Sequence, residues 1–302
     1  MSGTLNVAVI QSPAELNGPQ ARLALLTQAL EDHANQPCDL VVLPELFQSG
    51  YNVGNKVAEY AEPSDGPFAR AVADLAKKHG TAILYGYSER QGDALFNSAQ
   101  CIDKNGQVIG HHRKLLLPPG FEGDHFAPGN GCELFTLGEF KIGILVCYDF
   151  EFPENLRYVA LQGADLVTVP TALGAQWGVV SEKVVPTRAF ENGVYVCYAN
   201  SCGQENGMNY FGGSCIISPD GSDLARAKSG SEFLHSCIKK SAVAIAQDRL
   251  PYHKDRQKLP WICRGHYTHL GLQPTTTVSF PRSAKRASRQ FMSSAAFVNS
   301  GS

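Results

Sequence analysis

The sequence has no CxxC pair, no basic cluster before its last stretch, and no apolar run of the ~20 residues that cross a bilayer. Its nine cysteines are odd in number and scattered, whereas a disulfide scaffold is short, even in cysteine count and rich in loops. The N-terminal stretch MSGTLNVAVIQSPAE has neither a basic n-region nor an apolar h-region, so we expect no secretory signal. These absences predict a soluble, cytoplasmic chain in a reducing compartment, where most cysteines serve as small core residues.

The composition is that of a globular protein, with 43% hydrophobic and 18% charged residues over a length of 302. The chain has 26 basic and 28 acidic residues, so its net charge is −2. We therefore expect neither nucleic acid nor membrane as a partner. We predict one domain over residues 1–260, because α/β domains reach about 250 residues. Residues 261–302 are rich in Ser, Thr, Arg and Lys without periodicity, which predicts an extended or disordered tail.

Short apolar, β-branched runs alternate with helical patterns along most of the chain. Apolar stripes at helical spacing predict helices over 19–35 and 67–79, and Gly80 ends the second. The Asn-Gly pair at 105–106 and the Pro-Asp-Gly run at 219–221 predict tight turns. The predicted strands are 6–11, 39–45, 81–87, 141–149, 165–171 and 193–200. The pattern predicts an α/β fold of mixed sheets covered by helices.

Reactive side chains stand at or just beyond the ends of predicted strands, where open α/β sheets carry their active sites. Glu45 follows an apolar run and a proline, so partial desolvation would raise its pKa toward that of a general base. Lys114 closes a hairpin strand, and a buried lysine there needs a carboxylate such as Glu45 or Glu122, which lies in a Pro/Gly-rich loop. Cys147 ends an apolar strand before an abrupt polar turn, as in a strand–nucleophile–helix elbow.

Each of these side chains also has an ordinary structural alternative: a carboxylate at a helix N-terminus, a surface lysine and a packed core cysteine. Arg188 and Glu191, three apart on a predicted helix, are interpreted as structural support. Two clusters contain ligand-type side chains, namely His111 with His112, and Cys263 with His266 and His269. Neither is interpreted as a metal site, because no carboxylate-rich strand end or CxxC accompanies them. We expect no metal and no cofactor.

The order Glu45, Lys114, Cys147 resembles the nitrilase, or carbon–nitrogen hydrolase, superfamily, and the resemblance covers about residues 5 to 260. Five segments carry it: LPELF, RKLLLP, the E-x-x-x-F-x-P-G run from Glu122 to Gly129, GILVCYDFEFPE and RAFEN. The resemblance implies a four-layer α-β-β-α sandwich. Members usually pair through a helical face, so it also implies a homodimer or higher homo-oligomer.

The resemblance also assigns roles to the predicted site residues. Glu45 would be the general base, Lys114 would stabilise the tetrahedral intermediate, and Glu122 would orient groups at the site. Cys147 would form a thioester, with Lys114 and the backbone N–H of Tyr148 as the oxyanion hole.

The substrate class is read from the residues around the nucleophile. The pair after Cys147 is Tyr148–Asp149, as in many amidase-like members, whereas nitrilases typically carry Trp-Glu there; this favours a small amide over a nitrile. The chain looks most like bacterial-type short-chain aliphatic amidases, although their CDDG signature is absent. The predicted pocket walls are aromatic: Tyr51, Tyr148, Trp177, Phe126 and Phe152.

Three alternatives stay open beside the amidase. No arginine stands out as a carboxylate clamp, which weakens an N-carbamoyl or ω-amide hydrolase on the same triad without excluding it. A nitrilase is the second. A catalytically silent binding protein of the same fold would have lost a triad member, but all three are present.

Overall fold

The computed structural model describes residues 3–259. Its strands, numbered in chain order, are β1 (Thr4–Pro13), β2 (Leu40–Val42), β3 (Ala82–Gln91), β4 (Ala94–Ile102), β5 (Val108–Arg113), β6 (Leu134–Leu137), β7 (Phe140–Ile144), β8 (Leu166–Pro170), β9 (Tyr195–Ala199), β10 (Ser201–Glu205), β11 (Met208–Phe211), β12 (Cys215–Ile217), β13 (Asp223–Arg226) and β14 (Glu232–Lys239). The helices are α1 (Gly18–Asp32), α2 (Lys56–Glu59), α3 (Pro67–His79), α4 (Phe121–His125), α5 (Tyr148–Glu151), α6 (Pro153–Leu161), α7 (Val185–Asn192), α8 (Lys240–Arg249) and α9 (Tyr252–Asp255). Short 3₁₀ or π turns occupy Ala175–Trp177, Val180–Val184 and Arg256–Lys258.

The strands form two mixed sheets. In the first, the order is β11-β10-β1-β2-β3-β4-β5, and β14 pairs antiparallel with β1. In the second, the order is β13-β12-β9-β8-β7-β6. Each sheet has a parallel centre, β1-β2-β3 in one and β7-β8-β9 in the other, and antiparallel hairpins extend it outward. Parallel neighbours need long crossovers, which the helices provide.

Side chains on each central strand alternate between two different cores. On β1, Val7 and Val9 face the apolar layer between the sheets, whereas Ala8 and Ile10 pack toward α1 and α3. β9 divides its side chains in the same way, with its outer face against α6 and α7. Because successive side chains of a strand point to opposite faces, this alternation stacks four layers. The predicted α-β-β-α sandwich is confirmed.

All six predicted strands and both predicted helices are present; the predicted helix 67–79 has the same bounds as α3, and the other elements have shifted bounds. The predicted strand 39–45 was too long, since pairing as a strand ends at Val42, and 141–149 was too long, since β7 ends at Ile144. Just past those points one backbone bond of each ladder continues, since Leu43 N–H donates to the Leu84 carbonyl at 2.8 Å and Leu145 N–H to the Thr168 carbonyl at 3.1 Å. The chain then turns at Glu45 and enters α5 at Tyr148. These segments, which leave the sheets after β2 and β7, carry Glu45 and Cys147.

The predicted turns are confirmed at all three places. Gly80 ends α3 with φ of +66°, a left-handed conformation that glycine adopts at no steric cost. The 105–106 pair joins β4 to β5, and the 219–221 run joins β12 to β13.

Contacts divide the chain into two units, Met1–His253 and Lys254–Ser302. Everything from β1 through α8 lies in the first. Of the second, residues 254–259 are described, and there Lys258 Nζ pairs with Asp255 Oδ1 at 2.6 Å. The predicted tail 261–302, which includes the Cys263, His266 and His269 cluster, lies outside the described residues, so the domain boundary stays a prediction. Between residues 3 and 259, none of the helices combines the length and apolar character that crossing a membrane requires.

Candidate active site

The predicted site residues come from three chain segments that converge at the ends of parallel strands. Glu45 lies three residues after β2 of the first sheet, Cys147 three residues after β7 of the second, and Lys114 directly after β5. The end of β8 bridges the two sheets: Cys147 N–H donates to the Pro170 carbonyl at 2.9 Å, and Glu45 N–H donates to the Thr171 carbonyl at 3.3 Å. The backbone itself therefore holds the base and the thiol beside each other.

Lys114 is the centre of the site and is fully buried. Its Nζ lies 2.7 Å from Glu45 Oε1 and 2.6 Å from Glu122 Oε1. Asn97 Nδ2 donates to Glu45 Oε1 at 2.7 Å and to Glu122 Oε2 at 3.2 Å, and the Tyr51 hydroxyl donates to Glu122 Oε1 at 2.7 Å. A buried cation is stable only when carboxylates surround it, which these two do. The structure thus assembles the grouping of Lys114 with two glutamates.

Burial and the charges in this cluster together set the pKa of Glu45. Burial raises the pKa of Glu45 to about 7, although the positive charge of Lys114 opposes the shift. Burial by itself would lower the pKa of Lys114, but the charge of Glu45 and the other acidic neighbours raises it above its usual value, so Lys114 stays a cation. Glu45 Oε2 is buried and has no hydrogen-bond partner among residues 3–259. Glu45 therefore has one oxygen held in place and one able to accept a proton.

Cys147 sits on a strained turn, with φ of +46° and ψ of −105°. A non-glycine residue at such angles is uncommon and is held there by its surroundings, often at functional sites. The turn joins the extended end of β7 to α5, so the Tyr148 N–H is the first of that helix and has no acceptor within it. Burial, with the nearby charge of Glu45, raises the pKa of the Cys147 thiol, so the resting thiol is neutral and needs a base to become a nucleophile.

Asp149 is a buried site residue whose role sequence reasoning missed. Its carboxylate accepts the two backbone N–H groups that follow Lys114, at 3.0 and 2.9 Å, and also lies 3.0 Å from His112 Nε2. One side chain of α5 thus ties the segment of Lys114 to the elbow of Cys147. The available signal was an acidic residue two positions after the nucleophile, which we used only to choose between amide and nitrile.

The two adjacent histidines have carboxylate partners. His111 Nε2 lies 2.9 Å from Glu89 Oε2, while His112 faces Asp149. Across residues 3–259 no group of three or more His, Cys, Asp or Glu side chains could hold a metal ion.

Glu205, on β10, is a second residue that the sequence did not reveal. Its Oε2 accepts the backbone N–H groups of Tyr51 and Asn52 at 3.0 and 2.6 Å and the Tyr210 hydroxyl at 2.8 Å. Its Oε1 accepts Arg22 Nη2 at 3.1 Å. This clamp fixes the loop whose tyrosine reaches the second glutamate of the site. No local pattern links positions 154 residues apart.

Asn97 and Gly86 support the site from β4 and β3, and both were also missed. Asn97 bridges the two glutamates, as described above, and its carbonyl accepts Lys114 N–H at 2.8 Å. A Cβ atom on Gly86 would lie 2.8 Å from Glu45 Cα and would also clash with Leu46 N, so only glycine lets the two backbones approach this closely.

One prediction about the site needs correction. Glu122 does not lie in a loop: it belongs to α4, a single helical turn entered through Gly120 at φ of +96°, and its side chain is buried. The Pro/Gly-rich flanks suggested a loop because they end the helix on both sides. Tyr51 was predicted as a pocket wall, and the structure gives its hydroxyl a direct bond to Glu122.

The remaining aromatic predictions fare differently. Tyr148 follows the nucleophile in the chain, and its ring meets that of Phe152 edge to face with centroids 5.0 Å apart; both residues are partly exposed. Phe126 is 6% exposed and packs in an apolar cluster with Leu46, behind the site. Trp177 is 57% exposed, which does not support its prediction as a pocket wall.

The ion pair predicted as structural support is present. Arg188 Nη1 lies 3.1 Å from Glu191 Oε1 on α7. The same guanidinium donates through Nη2 to the Glu151 carbonyl at 3.1 Å, so it also anchors the end of α5.

Comparison with known proteins shows that this chain is similar to hydrolases. Residues 6–243 match the carbon–nitrogen hydrolase family. A Pseudomonas protegens protein named "Hydrolase in pqqF 5'region" is 43% identical over 74% of this chain and 79% of its own length. A Pyrococcus abyssi nitrilase is 34% identical over 76% of this chain and 87% of its own.

The crystal structure of an amidase from Nesterenkonia sp. superposes with a TM-score of 0.74 at 30% identity, over 83% of this chain and 95% of that one. A variant of that amidase carries the acetamide moiety of fluoroacetamide, covalently added at its active-site cysteine. Another variant was solved in complex with butyramide.

Proposed function

The chain belongs to the carbon–nitrogen hydrolase family, and we propose that it is an amidase that converts a small aliphatic carboxamide into a carboxylic acid and ammonia. The observation that carries the proposal is the state of Glu45: one carboxylate oxygen is held by Lys114, and the other is buried without a partner among residues 3–259. A carboxylate with a pKa of about 7 is a suitable general base near neutral pH.

In the acylation half of the reaction, Cys147 Sγ attacks the amide carbonyl carbon while its proton passes to Glu45 Oε2. The carbonyl oxygen becomes an oxyanion, which Lys114 Nζ and the Tyr148 N–H stabilise. Collapse of this intermediate breaks the C–N bond, and the nitrogen takes the proton from Glu45 and leaves as ammonia. A thioester between the acyl group and Cys147 remains.

In the second half, Glu45 removes a proton from a water molecule, and the resulting nucleophile attacks the thioester carbon. The same donors stabilise the second oxyanion. The C–S bond then breaks, the carboxylic acid leaves, and the proton on Glu45 returns to the Cys147 thiolate. Glu122, with Tyr51 and Asn97, keeps Lys114 oriented through both halves.

The relatives support this assignment. The covalent addition of the acetamide moiety of fluoroacetamide indicates that the active-site cysteine of the Nesterenkonia amidase, a protein 30% identical to this chain, is a nucleophile. Its complex with butyramide agrees with a short aliphatic acyl group. We propose Tyr148, which follows Cys147 in the chain, and Phe152, whose ring packs against that of Tyr148, as walls of the acyl pocket.

The test is ammonia release from a panel of propionamide, propionitrile, an N-carbamoyl amino acid and an ω-amide of a 2-oxo acid. We expect hydrolysis of propionamide by the wild type, none by Cys147→Ala, and retained hydrolysis by Cys202→Ala, a cysteine outside the proposed mechanism. Intact mass after rapid quenching should show the acyl adduct only when Cys147 is present. Turnover by Cys147→Ala would overturn the mechanism, and a preference for one of the other three substrates would replace the aliphatic amide with that class.

A further inference from the structure

His112 is a buried polar side chain beside the site, and the mechanism above does not use it. It lies on β5, two residues before Lys114. Its register partner on β4 is Ala99, which belongs to the apolar layer between the two sheets. Because partners in register share a face of the sheet, His112 points into that layer. There its Nε2 lies 3.0 Å from Asp149 Oδ2, so this contact joins β5 of the first sheet to α5 beside the nucleophile.

The Asp149 carboxylate collects donors from both sides of the proposed oxyanion hole. Its Oδ1 accepts the two backbone N–H groups that directly follow Lys114, at 3.0 and 2.9 Å. Its Oδ2 accepts the N–H of Val146, the residue before the nucleophile, at 3.4 Å. Asp149 itself follows Tyr148, whose N–H is the second proposed oxyanion donor. One carboxylate thus ties together the two chain segments that carry the oxyanion donors.

The hydrogen-bond pattern assigns the tautomer of His112. A carboxylate oxygen accepts hydrogen bonds and has no hydrogen to donate, so Nε2 carries the hydrogen and donates to Asp149. The other ring nitrogen, Nδ1, is buried and has no hydrogen-bond partner among residues 3–259. Within this part of the chain, the polar contact of the ring is therefore the one that Nε2 makes with Asp149.

The adjacent histidine has a similar contact that does not lead to the site. His111 lies on the opposite face of β5, because successive side chains of a strand alternate, and its Nε2 is 2.9 Å from Glu89 Oε2. The other donors to that carboxylate are Arg113 and Ser98. None of these residues takes part in the proposed mechanism. His111 is therefore a matched control for His112.

Resting on the amidase function proposed above, we propose that His112 is a positioning residue of the reaction, which acts through Asp149 on the oxyanion hole. By donating to Oδ2, His112 keeps the Asp149 carboxylate turned toward the backbone on both sides of the hole. Without this donor the carboxylate would rotate, and the placement of Lys114 relative to the Tyr148 N–H would vary. The oxyanion forms only after the substrate has bound, so the loss falls on kcat and leaves KM nearly unchanged.

The test replaces His112 by three side chains that differ in where they carry an N–H group. Glutamine places its amide nitrogen about where the ring carries Nε2, asparagine places it about where the ring carries Nδ1, and leucine has none. The readout is kcat and KM per folded molecule, for whichever compound of the panel above the wild type hydrolyses fastest. We expect His112→Gln to keep kcat within about 3-fold of the wild type. His112→Asn and His112→Leu should lower kcat about 10-fold or more, with KM within about 2-fold.

The control variant, His111→Leu, should keep the wild-type kcat. Equal kcat in His112→Gln and His112→Asn would overturn the inference and leave the amidase proposal intact. The same holds for a loss in His111→Leu as large as that in His112→Leu, or for a loss that falls on KM instead of kcat. Should His112→Leu not fold, the comparison of the Gln and Asn variants decides the question. If the wild type hydrolyses nothing in the panel, the proposed function itself fails and the inference fails with it.

Discussion

Two neighbouring cations lie at the end of β5, Arg113 and Lys114. Each belongs to a cluster of charged residues, yet the pKa of the glutamate is lowered in one cluster and raised in the other. Arg113 binds a single carboxylate, that of Glu89, through Nε at 3.0 Å and through Nη2. Ser98 and His111 approach the same carboxylate at 2.6 and 2.9 Å. Burial alone would raise the pKa of Glu89, but the hydrogen bonds from His111, Arg113 and Ser98 lower it to about 2. Glu89 is therefore a fixed anion.

The next residue, Lys114, divides its charge between two carboxylates. Glu45 and Glu122 share this ammonium and the amide of Asn97, and one oxygen of Glu45 has no donor among residues 3–259. The pKa of Glu45 accordingly stands at about 7 instead of about 2. The residue types in the two clusters are nearly the same. What separates a structural anion from a candidate base is the deeper burial of Glu45, the like charge of Glu122 beside it, and the smaller number of donors that reach its carboxylate.

The largest effect should come from removing the two cations one at a time. Lys114→Met leaves two buried carboxylates without their cation and removes an oxyanion donor, so kcat/KM for propionamide should fall on the order of 1000-fold or more. Arg113→Met should lower the free energy of unfolding by about 1–3 kcal/mol, because Glu89 loses its strongest donors, while activity per folded molecule stays at the wild-type level. Steady-state rates and urea unfolding check both. Equal losses of activity in the two variants would show that the clusters do not differ in role.

The pH dependence tests the contrast between the two glutamates. Glu45 must be ionised to act as base, so kcat/KM should fall about 10-fold for each unit that the pH drops below about 7. Glu89→Gln should leave that midpoint in place, because Glu89 stays ionised throughout this range. A midpoint that moves with Glu89→Gln, or one near the ordinary carboxylate value of about 4.3, would contradict the assignment.

The two glutamates should also affect the free energy of unfolding in opposite ways as the pH changes, which Glu89→Gln tests. The folded-state pKa of Glu89 lies below its unfolded value, so its stabilisation is present above about pH 4.3 and is lost as the pH falls toward 2. The folded-state pKa of Glu45 is raised, so its ionisation destabilises the fold as the pH rises from about 4.3 to 7. Denaturation of Glu89→Gln should therefore show a larger deficit at pH 7 than at pH 3.

The smallest effect should come from Tyr51→Phe, which removes one donor from Glu122 and leaves the ring in place. A lost hydrogen bond to a charged group should lower kcat about 10-fold, with a smaller change in KM, because the hydroxyl orients Lys114 through Glu122 and contacts no reacting atom in the proposed mechanism. Tyr158→Phe, on an exposed tyrosine of α6, is the control and should retain full kcat. An unchanged kcat in Tyr51→Phe would show that Glu122 does not depend on this donor.

Local patterns predicted most of the architecture. Runs such as DLVVLPE and KIGILVCYD indicated buried strands because their apolar side chains continue without interruption, and the polar residues after them indicated where the chain leaves the sheet. The resemblance to the nitrilase superfamily then supplied the pairing of Glu45, Lys114 and Cys147. The strand ends were placed too late, because the apolar runs continue past the last paired residues, through Leu43 after β2 and through Leu145 and Val146 after β7.

The supporting residues of the site could not be predicted in the same way. Asp149, Asn97 and Glu205 are polar residues in or beside ordinary helices and strands. Asp149 is marked only by its position two residues after Cys147, and nothing in the immediate neighbours of Asn97 or Glu205 marks them. Their roles depend on partners far along the chain, such as the loop after Glu45 for Glu205 and the two amides after Lys114 for Asp149.

The sequence by itself determined the strands, the helices and the candidate residues, because alternation of side chains and the ends of apolar runs are properties of neighbouring positions; the stacking into four layers was implied by the family resemblance. Only the tertiary structure decided what each charged residue can do. Glu45 and Glu89 both follow or end central strands, yet one is a candidate base and the other a buried anchor. The physical reason is that a pKa depends on burial and on donors within a few ångströms, and the fold brings those donors from segments that are remote in sequence.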